Sequence, residues 1–400
     1  MLRFLHVADL HLGLRITRFE GTAIDRIREA RFAALERIRN EVSQPNSAYQ
    51  FVIIAGDLFD DVRVSRSISN RAFKLLESFS VPVLLIPGNH DPYEPGSLWE
   101  TPPWNSERKP LVHLLCERKP FTGIEGVTIF PCPVFRKRSA DDPTRWIGDH
   151  PRTDANDFRI GIAHGSVMDR PDLPTDDHPI SPTAPTDLDL DYMALGHWHR
   201  QKHYSDGSSA KRMAYPGVHE PMRFRDDTHV AGWQPYSSGT NREEFLDTGD
   251  GNALRVTIEE PQQSPSIESI NVQHFQWISR TEDVTNETEF DSLLQRVAEQ
   301  ENYERMLLKL KLTGTLPVSV LHRVEELRDV LGRYAVSELD DHELSVEPTT
   351  EEVREIIGTG VLGQVHQRLQ ELAETGNAEH NPVVIEQATR LLYRLAAKVK

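Results

Sequence analysis

Read for hydrophobic and polar positions, the first half of the chain alternates short apolar runs with stretches of helical periodicity. LRFLHVA (2–8) predicts a strand. Ile24, Ile27, Ala34, Leu35, Ile38 and Val42 follow at helical spacing, with Arg and Glu on the other face, and predict a helix over 22–43. FVIIA (51–55) predicts a buried strand and 65–79 a helix. VPVLLI (81–86), VTIFP (127–131), FRIGIA (158–163) and YMAL (192–195) continue the series of strands. Such alternation predicts an α/β domain.

The second half reads differently. PDLPTDDHPISPTAPTDLDLD (171–191) predicts a surface loop, because its prolines prevent long regular structure. ALRVTIEE (253–260) predicts a strand and PQQSPS (261–266) a linker. INVQHFQWI (270–278), MLLKLKLTG (306–314) and RYAVSEL (333–339) predict strands, with helices over 288–300 and 318–332. That is a compact α+β module. Residues 350–398 read as two amphipathic helices broken near TGNAEHNP. The expected division is 1–252, 253–345 and 346–400.

Composition narrows the class. The 400 residues are 38% hydrophobic and 27% charged, as in an ordinary globular protein, and the longest apolar runs are far short of a membrane span. The start, MLRFLHVADLHLG, has no sustained apolar core and no small-residue cleavage site, so it reads as the first strand of a cytoplasmic protein. Cys116 and Cys132 are the only cysteines, without CxxC spacing; a disulfide framework is not expected. Any metal site must then be built from His, Asp and Asn.

The net charge is −17, yet residues 139–191 alone hold twelve Asp against four Arg. Local basic groups stand elsewhere: FRKR (135–138), HRQKH (199–203), KR (211–212) and RFR (223–225). A groove can be basic on an acidic protein, so net charge leaves the partner open. His203 and His219 have no motif around them and read as surface histidines.

Five polar clusters follow the expected strands: ADLH (Asp9, His11), GDLFD (Asp57, Asp60), PGNHD (Asn89, His90, Asp91), IAHG (His164) and GHWH (His197, His199). Singly, each is an ordinary turn signal. Together, all at strand ends and all made of oxygen and imidazole donors, they suit two metal ions held close together. Such a pair needs a bridging carboxylate, and Asp57 directly follows a buried strand. Mixed carboxylate and imidazole ligation suits Mn, Fe, Co or Zn, with Mn²⁺ favoured. The i, i+2 spacing of His197 and His199 would point both to one side of an extended chain, with Trp198 turned into the packing.

The ordered series D-x-H, GDxxD, GNHD, H and GHxH resembles the calcineurin-like metallophosphoesterases and covers about half the chain. HVADLHLG at the start, YMALGHWHRQ followed by AYPG, and the module after the first domain resemble the SbcD/YhaO type of DNA-repair nuclease within that superfamily. The resemblance implies a four-layer α/β/β/α sandwich over 1–252, followed by a capping domain. It implies that Asp9, His11, Asp57 and His199 hold one metal, and that Asp57, Asn89, His164 and His197 hold the second. His90 would stand beside the phosphate as a catalytic group, oriented by Asp91, while Asp60 anchors its loop. A hydroxide activated by the two metals would cleave the DNA backbone. The resemblance also implies that the C-terminal helices dock onto a coiled-coil ATPase of the SbcC/YhaN type. A homodimer is left open. The same motifs also serve small-molecule phosphodiesterases and phosphatases, and a non-catalytic DNA-binding scaffold is the rival of another class.

Overall fold

The computed structural model describes residues 1–106, 111–205, 210–224, 251–321, 323–346, 360–375, 384–385, 387–389 and 391–392. Most of the expected C-terminal segment, and Arg225 of the RFR group, lie outside the described residues. Within that segment, Val361–Thr375 is a helix. By contacts the chain divides into two units, Met1–Phe275 and Gln276–Lys400.

Among the described residues, twelve strands build the first unit: β1 (Leu2–Val7), β2 (Phe51–Ala55), β3 (Val83–Ile86), β4 (Val112–Leu114), β5 (Phe121–Ile124), β6 (Val127–Cys132), β7 (Phe158–His164), β8 (Tyr192–Gly196), β9 (Lys202–Tyr204), β10 (Met213–Tyr215), β11 (Asn252–Ile258) and β12 (Ser266–Asn271). They form two six-stranded sheets, in the orders β12-β11-β1-β2-β3-β4 and β5-β6-β7-β8-β10-β9. In the first sheet β1 to β4 run parallel, and in the second β6, β7, β8 and β10 do so.

The two-residue period of the strands sorts their side chains between layers. Phe4, Phe51, Ile53, Leu84 and Ile86 meet Ile129, Ile160, Ile162, Tyr192 and Ala194 in the core between the sheets. Leu5, Val7, Val52, Ile54, Val83 and Leu85 face the other way, onto Phe32, Leu35 and Ile38 of helix α1 (Thr22–Val42) and Phe73 and Leu76 of helix α2 (Arg66–Glu77). Each such side chain stabilises the fold by about 1.5–3 kcal/mol relative to exposure. Ser65 caps α2 by accepting from the Ile68 N–H. The outer face of the second sheet, with Phe130, Ala163, Met193 and Leu195, is covered by Ile147, Val167, Ile180 and Leu190 from short helical turns and loops.

Several expectations change. The boundary at 252/253 moves to Phe275, because β11 pairs antiparallel with β1 and so belongs to the first sheet. PQQSPS is a hairpin turn between β11 and β12, held by the Gln262 N–H donating to Asp191 Oδ1. INVQHFQWI is broken in two, since the Phe275 N–H is taken by the buried Glu220 carboxylate (3.1 Å) and cannot join a ladder.

The second unit opens with β13 (Gln276–Val284), β14 (Met306–Leu316) and β15 (Val336–Val346), all parallel. Helices Glu287–Ala298 and Val324–Leu331 alternate with them, so the elements interleave rather than segregate as an α+β module would. Phe290, Leu293, Leu310, Leu312 and Leu327 form their own core.

Candidate metal centre

Parallel strands bring their carboxyl ends to a common edge, and each predicted cluster begins there. Asp9 and His11 follow β1, Asp57 follows β2, Asn89 and His90 follow β3, His164 ends β7, and His197 and His199 follow β8. The chain turns sharply at these exits: Asp9, His11, Asp57 and His197 all adopt positive φ (55°, 42°, 51° and 114°), a region that side chains other than glycine enter at a cost. Gly196 lets the two sheets approach, since a Cβ there would lie 1.8 Å from the Ala55 carbonyl oxygen.

The loops are tied to one another through the backbone. Both Asp9 carboxylate oxygens accept from the His197 N–H at 3.0 Å, and Asp57 Oδ1 accepts from the His90 N–H at 2.8 Å. Three groups of donors converge among the described residues: Asp9, His11 and His199; His11, Asp57 and His90; Asp9, Asp57 and His164. Asp57 Oδ2 stands between His11 Nε2 at 3.7 Å and His164 Nε2 at 3.4 Å. On one side His11 Nε2 faces His199 Nε2 at 3.0 Å. On the other, Asn89 Oδ1 faces His164 Nε2 at 2.7 Å and His197 Nδ1 at 3.2 Å. His197 and His199 therefore address different halves of one site.

The donor set fits divalent cations. His164 Nδ1 donates to the Ala55 carbonyl at 2.9 Å, so that in the neutral ring Nε2 is a lone pair directed at the Asn89 oxygen and the Asp57 carboxylate. Acceptors aimed at acceptors are satisfied by a cation between them. The acid–base behaviour of these side chains agrees. Burial pushes the Asp9 carboxyl up to about 7. Burial would also lower His164, but the Asp57 and Asp9 carboxylates raise it to about 10. Burial opposes ionisation of Asp57, yet the surrounding His164, His11 and His90 imidazoles hold it below the carboxylate range. The imidazoles compensate the buried Asp57 carboxylate, whereas burial outweighs them at Asp9.

Several surrounding roles differ from the sequence reading. Asp91 does not orient His90: its two oxygens accept from Phe59 N–H (2.9 Å) and Gly88 N–H (2.7 Å), lacing two loops together. The His90 imidazole is set instead by Nδ1 donating to the Asp60 carbonyl at 2.9 Å. Asp60 anchors its loop as expected, through Oδ2 and the Arg15 N–H, and its other oxygen lies 3.3 Å from His11 Nδ1. His219 is not a surface residue; it is fully buried, with Nε2 donating to the Arg31 carbonyl. His197–His199 lie beyond the end of β8, so strand alternation does not aim them, although Trp198 does pack against the outer core. Arg136, Arg138 and Lys202, from the local basic groups of the sequence, are paired with Asp141, Asp176 and Asp169.

Two contributors have no signal in the sequence. Arg31, completely buried in α1, donates to the carbonyls of Leu10 (2.8 Å), Glu220 (3.1 Å) and Asp9 (3.4 Å), and so braces the β1 exit. Asp177, from the Pro- and Asp-rich stretch, reaches His197 Nε2 at 2.7 Å. An arginine on a helix that otherwise reads as amphipathic, and one aspartate among the six of that stretch, cannot be singled out by pattern.

Residues 2–201 match the family of calcineurin-like phosphoesterases. That span contains every converging residue from Asp9 to His199. The chain belongs to the calcineurin-like phosphoesterases, a metal-dependent family, and its Asp and His clusters have the spacing to hold divalent cations.

Proposed function

We propose that this protein is a nuclease of the DNA-repair kind, hydrolysing the phosphodiester backbone of DNA with two divalent cations, Mn²⁺ foremost. The observation that carries the reading is the convergence of Asp9, His11, Asp57, Asn89, His164, His197 and His199 around one buried carboxylate, with His90 beside it. Asp9, His11, Asp57 and His199 would hold one cation, and Asp57, Asn89, His164 and His197 the other. Bound there, the cations supply positive charge for the phosphoryl oxygens and make water a competent nucleophile at neutral pH.

The residues do the rest. Asp57 and the loop hydrogen bonds orient the donors before substrate arrives, so little reorganisation remains to be done. His90 has its backbone on Asp57 and its Nδ1–H on the Asp60 carbonyl, so that in the imidazolium form its Nε2–H is the proton to give to the departing oxygen. General-acid help of this kind contributes about 10²–10⁴-fold.

DNA as substrate is supported by the likeness to the SbcD/YhaO nucleases and by the FRKR loop. Val134, next to that loop, is bonded to both sides of the GNHD turn, through Pro87 O and Tyr93 N. The ion pairs of Arg136 and Arg138 are exposed, and such pairs are weak, typically ~0–1 kcal/mol, so a phosphate can displace the aspartates. We further propose a cytoplasmic location and an ATPase partner of the SbcC/YhaN type for the C-terminal segment.

The test is digestion of end-labelled single- and double-stranded DNA by metal-stripped protein resupplied with Mn²⁺ or Mg²⁺, beside a small chromogenic phosphodiester. DNA cleavage that needs metal and falls at least about 10²-fold in His90→Ala is expected. Hydrolysis of the small diester with DNA left intact would shift the reading to a small-molecule phosphodiesterase. Loss of neither activity in His90→Ala would remove the role given to His90.

A further inference from the structure

Asp177 belongs to a segment that looks like a solvated loop, yet it is built into the site. Its Oδ2 lies 2.7 Å from His197 Nε2 and accepts a second hydrogen bond from Ser166 Oγ at 2.7 Å. The backbone around it is locked: Ser166 N–H donates to the carbonyls of Asp177 and His178, and Ile180 N–H returns to the Ser166 carbonyl. The approach is close enough that a Cβ on Gly165 would lie 2.1 Å from the His178 oxygen. Ser166 and Gly165 directly follow His164, so the loop is fastened where β7 delivers a donor to the metal site.

We propose that Asp177 is the positioning residue for His197, accepting its Nε2–H and thereby directing the Nδ1 lone pair into the site beside Asn89. An imidazole has one proton to give when neutral; the carboxylate behind it decides which nitrogen keeps it. A carboxylate hydrogen-bonded to a metal-binding histidine also raises the basicity of the donor nitrogen, and its loss weakens metal binding about 10- to 100-fold. The inference rests on the reading of His197 as a ligand. It makes the Pro- and Asp-rich loop a determinant of metal affinity rather than a surface connection.

The experiment is calorimetric titration of Mn²⁺ into the metal-stripped full-length protein, with the melting temperature of each stripped protein measured alongside. Wild type, Asp177→Asn, Asp177→Ala, Ser166→Ala and His197→Ala are compared. The expected result is one ion bound about 10- to 100-fold more weakly in Asp177→Ala. Asp177→Asn should show a smaller loss at the same ion, the second ion staying at wild-type affinity. Ser166→Ala, which keeps the contact to His197, should change neither affinity by as much as Asp177→Asn does. Unchanged binding of both ions in both Asp177 variants overturns the proposal. So does equal weakening of both ions together with a lowered melting temperature in Asp177→Asn, the mark of a mere loop anchor. If Asp177→Ala does not fold, Asp177→Asn decides alone. His197→Ala separates the two levels: if it still binds both ions like wild type, the ligand assignment itself fails. If it loses one ion while the Asp177 variants lose nothing, only the role of Asp177 fails.

Discussion

At His6, three residues before Asp9, an imidazole is sealed in the core. Its Nδ1 meets the Tyr192 hydroxyl at 3.0 Å and its Nε2 the Leu195 carbonyl at 3.1 Å, joining β1 to β8 across the sheets. Burial lowers its pKa from 6.5 to about 3. In the unfolded chain the same group takes up a proton near 6.5, so acid favours unfolding. Its contribution is intact above about pH 6.5 and is lost as the pH falls from there towards 3. His6→Asn should therefore lose less stability on acidification than wild type. The difference should grow by up to ~1.4 kcal/mol per pH unit below 6.5, read by urea unfolding at several pH values.

At the scale of elements, the site depends on how α1 grips the β1 exit. Arg31 is a fully buried cation whose guanidinium satisfies the carbonyls of Asp9 and Leu10 and that of Glu220. Burial lowers its pKa to about 10, and Glu220, Asp60 and Asp9 oppose that shift. Removing one partner from such a buried network leaves the others uncompensated, at a cost of about 3–5 kcal/mol. Arg31→Met should be destabilised by that amount in denaturant unfolding and should bind Mn²⁺ more weakly, because the Asp9 loop loses its brace. Gly196 sets a second constraint, between sheets. With a Cβ placed 1.8 Å from the Ala55 oxygen, Gly196→Ala must push β2 and β8 apart. A loss of about 3 kcal/mol, the upper end for overpacking, is expected in thermal melting.

For the whole molecule, the candidate metal centre and the second unit stand on separate cores. A ligand that binds only the folded state stabilises by mass action, about 2.7 kcal/mol at a hundred times its dissociation constant. Hydrogen exchange with and without Mn²⁺ should accordingly show added protection in β1, β2, β7 and β8 and none in β13–β15. Equal protection throughout would mean that the two units open together. Among the described residues no helix is long and apolar enough to cross a membrane.

Much of this was legible in one dimension because its causes are local. The apolar runs marked β1, β2, β3, β7 and β8, since strand burial imposes an apolar period on the residues themselves. The donors followed immediately, because a rigid parallel strand can aim only what lies just past its end; Asp9, Asp57, Asn89, His164 and His197 needed no partner to be noticed. What the sequence could not determine were pairings between distant segments. Nothing local assigns ALRVTIEE to the first sheet; its antiparallel register with Leu2–His6 does. Nothing local distinguishes Asp91, spent on backbone N–H groups, from Asp60, which faces His11. Arg31 looked like the polar face of a helix, His219 like a surface residue and Asp177 like solvated loop. Their roles exist only because folding removes water from the groups they touch, and a hydrogen bond gains its value from the company it is buried in.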